Sequence, residues 1–391
     1  MFYIGIDIAK KNHEASIIDS SGKSLSKSIS FSNTIKGLEK FRDFLDSFNL
    51  DINNCIIGME ATGHYWLSLY SFLLELGFNC IVINPIQSEA FRKMYIRQTK
   101  NDAVDSFVIA QIMRFGEYSI SNFSDEDTFA LRNLSRYRFA LVDECSDWKR
   151  KLVAILDQVF PEYSTLFSNI YGVASKELLS KYPLPEDMIS ISAQELANLL
   201  YKCSKGRFGL EKAQQIQSTA LNSFGIKFAK RSFSFQIKQI INQISFLEDQ
   251  INEIEKEISI SLNEACPIIT SITGIGDVLG AAIYSEIGDI SRFERANQLV
   301  AYAGLDVAVK QSGDFNASNT KISKRGSPYL RRAIWLSATV AAFRDPALSA
   351  YYQAMRDRGK AHGTAIGAVA RKLTNIIFAV LRDNKSYIPN I

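Results

Sequence analysis

Two segments of this chain carry apolar residues at alternating steps of three and four, a spacing typical of long helices with one continuous buried face. The first series runs from Leu131 to Ile155 and is interrupted only by Arg138. The second runs from Ile237 to Ile258, and Glu, Asp, Lys and Gln fill most of the other positions, as in coiled coils. The spacing predicts two long helices, which pair either within one chain or between two chains.

The first 85 residues have a different pattern, in which apolar strands precede and then alternate with helices. Three strands of an antiparallel meander are predicted first, followed by a helix capped by Asn33 and then by strand, helix and strand. This order is typical of a ribonuclease-H-like domain, whereas a doubly wound nucleotide-binding domain would have parallel crossovers from the start. The predicted strands are Phe2–Ala9, His13–Asp19, Ser24–Phe31, Cys55–Met59 and Cys80–Asn84, and the second helix is Trp66–Leu76.

The remaining segments are helical in pattern. Residues 161–226 form a less regular helical stretch in which no chemistry is recognisable. Near residue 274, a Gly-Ile-Gly turn leads into an apolar helix, Val278–Ile287. Such a turn, at Gly274 and Gly276, is either the phosphate grip of a helix-hairpin-helix element or a plain tight turn.

Charge is distributed unevenly along the 391 residues. The formal net charge is +4, but residues 301–391 hold 14 Lys and Arg against 5 Asp and Glu, a net of +9. The rest of the chain holds 31 basic and 36 acidic residues, a net of −5. A basic module of this kind indicates a polyanionic partner, unless its cations are only solvated surface charges.

Composition excludes several other classes. The five cysteines contain no C-x-x-C pair and there are only three histidines, so a structural zinc site is not expected. The odd cysteine count, the absence of an export signal and the absence of a long apolar run predict a cytoplasmic protein without a membrane partner.

Four carboxylates stand at positions that suggest chemistry. Asp7 lies in an apolar strand, Glu60 ends the fourth predicted strand, and Asp102 and Asp105 share one face near a helix start. In a ribonuclease-H-like fold the first and fourth strands are neighbours, and a later helix packs across them. The four acids would then converge on Mg²⁺ or Mn²⁺, and two such ions about 3.5–4 Å apart can flank a phosphodiester.

The sequence resembles the DEDD transposases of bacterial insertion sequences, a family that includes bridge-RNA-guided recombinases. No single block is decisive, but their order and spacing are specific, and together they cover about the first 120 and the last 125 residues. The matching blocks are Tyr3–Lys10, Glu60–Gly63, Lys100–Asp105, Ile272–Gly276, Ala301–Leu305, Gln311–Gly313, Ile322–Ser327 and Leu330–Ala333.

The resemblance implies a fold and a division into three domains. It implies a RuvC-like α/β domain at 1–122, and with the helix pattern it divides the rest into a helical coiled-coil connector with a central insertion at 123–264 and a mainly helical transposase domain at 265–391. The DEDD tetrad falls on Asp7, Glu60, Asp102 and Asp105, and the serine nucleophile of a Ser-Gly motif falls on Ser312. Without the resemblance, Ser312 would be taken for a turn residue.

The resemblance also implies an activity and partners. Such proteins cut and rejoin double-stranded DNA at element ends and targets through a covalent phosphoserine link. They act as dimers or tetramers, and a structured noncoding RNA pairs with target and donor DNA. This DNA chemistry would place the protein at the nucleoid. The candidate nucleic-acid contacts are Lys100, Gly274, Gly276, Lys310, Lys321, Lys324, Arg325, Arg331 and Arg332.

Two departures and three alternatives remain. Val307 stands where the family often has proline, and the central region is longer than in compact members. A metal-dependent nuclease, such as a junction resolvase, would use the same tetrad with water as the nucleophile. An actin-like sugar kinase lacks support because no second phosphate loop is recognisable, and a catalytically inactive nucleic-acid scaffold is the non-enzymatic alternative.

Overall fold

In the computed structural model the chain forms two compact units, residues 1–124 and 125–391. The structure describes residues 1–50, 52–61, 63–83, 85–92, 102–116, 125–307, 311–312, 315–316 and 321–389. The first unit is mixed α/β and the second is mostly helical. The proposed division of residues 125–391 at position 264/265 stays a prediction.

The first unit is built on a five-stranded sheet of order β3-β2-β1-β4-β5. The first three strands form the predicted antiparallel meander, and β4 and β5 extend it in parallel. The third strand is shorter than predicted, because Ser24 forms only an isolated bridge with Ile18. The strands are β1 (Phe2–Asp7), β2 (Asn12–Ile18), β3 (Ile29–Ser32), β4 (Cys55–Glu60) and β5 (Asn79–Ile83).

Four described helices accompany this sheet. The first begins one residue later than predicted, since the side chain of Thr34, not that of Asn33, accepts the bond from the Gly37 amide. Gly77 follows the second helix with a φ of +83°, the left-handed conformation that suits glycine after a helix end. The helices are α1 (Ile35–Asp46), α2 (Trp66–Glu75), α3 (Pro85–Arg92) and α4 (Asp102–Phe115).

The second unit contains the two long helices, α5 (Glu126–Val159) and α10 (Lys230–Ala265). They run antiparallel and pack on each other within the chain. Two ion pairs show this orientation: Arg138 of α5 bonds Glu255 of α10, and Lys149, later in α5, bonds Glu248, earlier in α10. Arg138, the one polar interruption in the first apolar series, thus has an acidic partner at 2.5 Å. Whether the same helices also pair between chains stays a prediction.

Two hydrophobic cores form along this helix pair. One contains Leu141 to Val159 of α5, Ile237 to Leu247 of α10 and the short helices between them. The other contains Leu131, the end of α10 and all the later helices. The remaining helices are α6 (Val173–Lys181), α7 (Pro185–Ile189), α8 (Ala193–Cys203), α9 (Leu210–Leu221), α11 (Asp277–Ile287), α12 (Ala296–Tyr302), α13 (Pro328–Arg344), α14 (Pro346–Asp357) and α15 (His362–Asp383).

Among the described residues, α15 is long and apolar enough to cross a membrane by length and composition alone. Its face from Ala365 to Phe378 lies in the second of these cores, where it packs against α12, α13 and α14. The apolar composition of α15 is therefore accounted for by burial inside the protein.

Candidate active site

The acidic residues Asp7 and Glu60 end two neighbouring strands at the same edge of the sheet. Strands β1 and β4 are parallel, and Ile6 lies opposite Met59 in their register. The next position on each strand is therefore the carboxylate, so Asp7 and Glu60 occupy matching places. Both side chains are half-buried. The structure thus brings together these two members of the tetrad predicted from sequence.

Two glycines determine which helix covers this edge. A methyl group on Gly5 of β1 would overlap the Ser106 carbonyl oxygen of α4, and one on Gly58 of β4 would overlap the Met113 sulfur. Helix α4 therefore lies directly on both strands. Since side chains alternate along a strand, Asp7 and Glu60, each two residues after a glycine, face α4.

Helix α4 begins at the carboxylate edge. The Ser106 and Ser16 hydroxyl oxygens are 2.7 Å apart, and farther along α4 the Gln111 amide donates to the Gly22 carbonyl at 3.0 Å. The helix thus runs antiparallel to β1, with Asp105 next to the Gly5 contact. Asp105 is buried and Asp102 is exposed at the first turn, where negative charge stabilises a helix.

The structure adds two residues that the sequence analysis missed. The buried Ser88 of α3 donates a hydrogen bond to Glu60 Oε2 at 2.7 Å, which orients that carboxylate. Glu14 of β2 lies directly opposite Asp7 in the antiparallel register. Ser16, two residues later on β2, contacts α4, so Glu14 lies on the same face of the sheet, the face that α4 covers. Only the strand register, which is a tertiary property, could have identified Glu14.

The donor chemistry at this edge fits a hard divalent cation. Every candidate ligand is a carboxylate, and like charges directly opposite on adjacent strands destabilise a sheet unless something compensates them. In the part of the chain that the structure describes, no three His, Cys, Asp or Glu side chains stand close enough to hold a metal ion as they are. Ion binding would therefore require these side chains to draw together.

Ser312 lies in a short hairpin of the second unit. Strand β6 (Gln311–Ser312) pairs antiparallel with β7 (Phe315–Asn316), and Ser312 is opposite Phe315. Ser312 is thus the last residue of β6. Lys310, like Lys100 of the first unit, lies outside the described residues.

The segment that carries Ser312, residues 305–323, is called the serine loop. Backbone hydrogen bonds join the residues at its two ends. The Lys324 amide bonds the Gly304 carbonyl at 3.1 Å, and the Ser327 amide bonds the Tyr302 carbonyl at 3.0 Å. Gly304 has a φ of +65°, and a methyl group there would lie 2.6 Å from Arg331 Nη1 and 2.8 Å from the Gly326 amide nitrogen. Two of the motifs recognised from sequence, Ala301–Leu305 and Ile322–Ser327, thus form the base of the loop that carries Ser312.

Val307 lies at the base of this segment. It forms an isolated antiparallel bridge with Ile322. The hydrogen bond of this bridge runs from the Ser323 amide to the Asp306 carbonyl at 2.8 Å, so the Val307 amide is not its donor. The bridge therefore does not explain why valine stands where the family often has proline.

The five basic residues after Ser312 divide into two groups. Lys321, Lys324 and Arg325 are exposed. Arg331 instead contacts the carbonyls of Ala303 and Gly326 at 3.3 and 3.5 Å, and Arg332 is paired with a carboxylate of α5. The first three remain candidate phosphate contacts, whereas the last two also stabilise the fold.

The Arg332 pair is bidentate. Its two nitrogens lie 2.7 and 2.6 Å from the Asp143 carboxylate oxygens, and its guanidinium lies over the Phe139 ring. The hydrogen bonds from Arg332 hold the pKa of Asp143 below its ordinary value. A phosphate would have to compete with this carboxylate for Arg332.

The two glycines before α11 occupy different surroundings. Gly274 has a φ of +91°, and a methyl group there would lie 2.7 Å from the Ser337 carbonyl oxygen of α13. Close helix packing therefore explains Gly274 by itself. Gly276 borders open space at the α11 N-terminus, but the next residue, Asp277, accepts a hydrogen bond from Ser259 and places a negative charge at this helix start. A phosphate contact at either glycine stays a prediction.

A buried carboxylate that the sequence analysis did not single out contacts the base of the serine loop. Glu286 of α11 is 3% exposed and accepts two hydrogen bonds from Arg136 of α5, at 2.5 and 3.0 Å. The hydroxyl of Ser327, the N-cap of α13, donates to Glu286 at 2.8 Å, and the Tyr302 hydroxyl donates to its backbone carbonyl at 3.3 Å. Glu286 therefore joins α5, α11 and the loop base.

Comparison with known proteins bears on this arrangement. A family model for transposases, DEDD_Tnp_IS110, matches residues 4–161 and includes all four tetrad positions. A second model, described as transposase IS116/IS110/IS902 family, matches residues 266–353 and includes Ser312. The chain belongs to this family of transposases.

Several relatives extend the match over nearly the whole chain. An uncharacterized 44.8 kDa protein of insertion element IS116 from Streptomyces clavuligerus is 23% identical over 99% of this chain and 96% of its own length. The pilin gene-inverting protein of Moraxella bovis is 25% identical over 98% and 97%. The transposase for insertion sequence element IS1111A of Coxiella burnetii is 24% identical over 98% and 90%. This IS110-family transposase is thus an enzyme of DNA transposition.

The contact of α4 with Gly5 leads to a first prediction. In Gly5→Ala, α4 must move off β1, so we expect a loss of about 1–3 kcal/mol in unfolding free energy and a weaker effect of Mg²⁺ on thermal stability. Thermal melting with and without Mg²⁺ measures both. Gly363→Ala, at a helical position bordered by open space, is the control; it should not lower the unfolding free energy and should leave the Mg²⁺ effect unchanged. A Gly5→Ala protein as stable as the parent would show that α4 does not depend on this contact.

The buried Glu286 leads to a second prediction. In Glu286→Ala, Arg136 and Ser327 lose their acceptor, so we expect the unfolding free energy to fall by about 1–3 kcal/mol. The Arg136 side chain is 43% exposed and can be hydrated, so the loss stays below that of a fully buried ion pair. Urea unfolding measures this loss. Glu294→Ala, an exposed acid of the same unit, should change the unfolding free energy by less than about 0.5 kcal/mol. Equal effects of the two substitutions would contradict the role given to Glu286.

Proposed function

We propose that this transposase cuts and rejoins DNA through a covalent bond between Ser312 and a DNA phosphate, assisted by divalent ions held by Asp7, Glu60, Asp102 and Asp105. The observation that carries the proposal is the placement of Asp7 and Glu60 at matching strand ends beneath α4, the helix of Asp105. The position of Ser312 in the second family model supports its role.

The first unit is proposed to be a RuvC-like domain. Its sheet order, with three antiparallel strands followed by parallel β4 and β5, is that of a ribonuclease-H-like sheet. A helix crossing the first and fourth strands with acids at its start agrees with the same fold. The metal is proposed to be Mg²⁺ or Mn²⁺ because the candidate ligands are all oxygens.

The chemistry assigned to the protein's own groups is transesterification. The Ser312 oxygen forms a bond to phosphorus, the bond from phosphorus to a deoxyribose oxygen breaks, and the serine proton passes to a base while the released oxygen takes up a proton. Bound divalent ions would stabilise the negative charge on the phosphate and on the released oxygen. Rejoining reverses these bonds with a different DNA end.

The positions of the basic residues suggest how DNA is held. Lys321, Lys324 and Arg325 are exposed at the returning end of the serine loop and would contact flanking phosphates, which predicts a strong salt dependence. Lys310, Lys100, Arg331 and Arg332 are proposed to add to these contacts.

Further partners are proposed from the family resemblance. They are a structured noncoding bridge RNA that pairs with target and donor DNA, and further copies of the chain in a dimer or tetramer. Because its proposed substrate is DNA, the protein is proposed to act at the nucleoid in the bacterial cytoplasm.

Replacing Ser312 tests the nucleophile. In Ser312→Ala we expect loss of strand exchange and of any protein–DNA adduct, because no oxygen is left at this position to bond phosphorus. Mass spectrometry of protein incubated with element-end DNA and Mg²⁺ detects the adduct. Ser386→Ala, an exposed serine of the same unit, should keep both. If Ser312→Ala still cleaves DNA at the parental rate, water is the nucleophile and the enzyme is a metal-dependent nuclease.

Neutralising the first carboxylate tests the metal site. In Asp7→Asn we expect the rate of DNA cleavage to fall by about 10²–10³-fold, as when one charge-stabilising group is lost from an active site. The cleavage rate is measured across a Mg²⁺ titration, with Asp19→Asn, a turn carboxylate of the same unit, as the control. An Asp7→Asn enzyme with parental rate and Mg²⁺ dependence would remove the tetrad from the mechanism.

A further inference from the structure

The surface at the α9–α10 connection combines aromatic rings and positive charge in a way that the proposed chemistry does not use. Phe224, Phe228 and Phe235 are 80%, 71% and 64% exposed. Single exposed apolar side chains are common on proteins, but a cluster of them marks an interaction surface. The three rings fall within twelve residues of chain, at the end of the long helix pair where α5 ends and α10 begins.

The charge of this segment is of one sign only. Between Glu211 and Glu248 the sequence contains no acidic residue and five basic ones. Of these, Lys227, Arg231 and Lys238 are exposed and have no ion pair among the described residues.

Rings and charges share a face where α10 begins, and the remaining three side chains lie in the connection directly before it. Arg231, Phe235 and Lys238 have i, i+4, i+7 spacing, which places them on one face of α10. Ile237, Ile240 and Ile244, which face α5, are buried on the opposite side. We call the surface formed by Phe224, Lys227, Phe228, Arg231, Phe235 and Lys238 the aromatic tip.

Two carboxylates border the aromatic tip, and each already has a partner. Glu186 pairs with Lys230 at 2.6 Å, and Glu162 accepts a hydrogen bond from the Ser223 hydroxyl at 2.7 Å. They therefore leave the exposed charge of the tip positive.

We propose that the aromatic tip binds an unpaired strand of nucleic acid, whose bases stack on the rings and whose phosphates contact the cations. Exposed aromatic side chains interleaved with Lys and Arg are the surface that single strands require, because each base offers a π-face and each nucleotide a negative charge. A duplex keeps its bases stacked on one another and gains nothing from the rings. A second copy of the tip is a poor occupant, because two surfaces of the same positive charge repel.

The test measures binding of fluorescent oligonucleotides by anisotropy, with full-length protein carrying Ser312→Ala in a buffer without divalent ions, so that neither serine nor metal-activated water cuts a strand. The probes are oligo(dT) and oligo(rU) of about 15 nucleotides and a duplex of the same length. We expect Phe228→Ala and Phe235→Ala each to weaken single-strand binding about tenfold or more, and duplex binding little. Phe246→Ala, on α10 at 56% exposure but close to Glu248 and Asp249, is the matched control and should bind as the parent does.

A second measurement separates charge from stacking. Lys227→Gln and Arg231→Gln should each reduce the slope of log affinity against log salt by about 0.7, the value for one phosphate of a single strand. A preference for oligo(rU) or oligo(dT) would identify RNA or DNA as the source of the strand, and either result supports the proposal.

Three results would overturn it. The first is equal binding by the parent and both phenylalanine variants. The second is a duplex that competes as well as the single strand. The third is a change in sedimentation of the two variants with unchanged oligonucleotide affinity, which would make a second copy of the chain the occupant. Because Ser312 is absent throughout, none of these outcomes depends on the proposed nucleophile.

Discussion

The antiparallel pairing of α5 with α10 is the contact on which the larger unit depends. Both of its hydrophobic cores use these two helices, one core at the end that contains Leu156 and Ile237 and the other at the end that contains Leu131 and Ile258. Each helix is about 50 Å long, which is enough to pass through two cores. The Arg138–Glu255 and Lys149–Glu248 pairs add polar contacts at fixed positions and so favour one register over its neighbours.

In the smaller unit the corresponding constraint is the approach of α4 to the sheet. Gly5 and Gly58 are partners in the register of two parallel strands, and both lack the side chain that would hold the helix away. This approach places Asp105 beside the strand ends that carry Asp7 and Glu60. The same close approach that buries Ile109 and Ala110 therefore also concentrates negative charge, which is the condition under which divalent ions bind well.

The basic character of residues 301–391 takes on a more specific meaning in the structure. Two of its basic side chains are engaged, since Arg332 is paired with Asp143 and Arg331 contacts carbonyls at the loop base, while Lys321, Lys324 and Arg325 remain exposed. Below them, buried Glu286 ties the loop base to α5 and α11. A second basic surface, the aromatic tip, lies at residues 224–238, where the irregular helical stretch ends and α10 begins.

Much of the fold was predictable from residue spacing. The apolar series at Leu131–Ile155 and Ile237–Ile258 predicted the two long helices, and alternation with turn residues predicted the meander and the two parallel strands after it. The boundaries were less certain, as with the cap at Thr34, because neighbouring polar residues compete for the same amide. Sequence also selected Asp7, Glu60, Asp102 and Asp105 as candidates, since acids at strand ends and helix starts are visible in one dimension. Tertiary structure alone decided that α5 and α10 pair within the chain, that Glu14 faces Asp7, that Ser88 bonds Glu60 and that Glu286 is buried. These depend on strand register and on contacts between residues up to 150 positions apart, which no local pattern encodes.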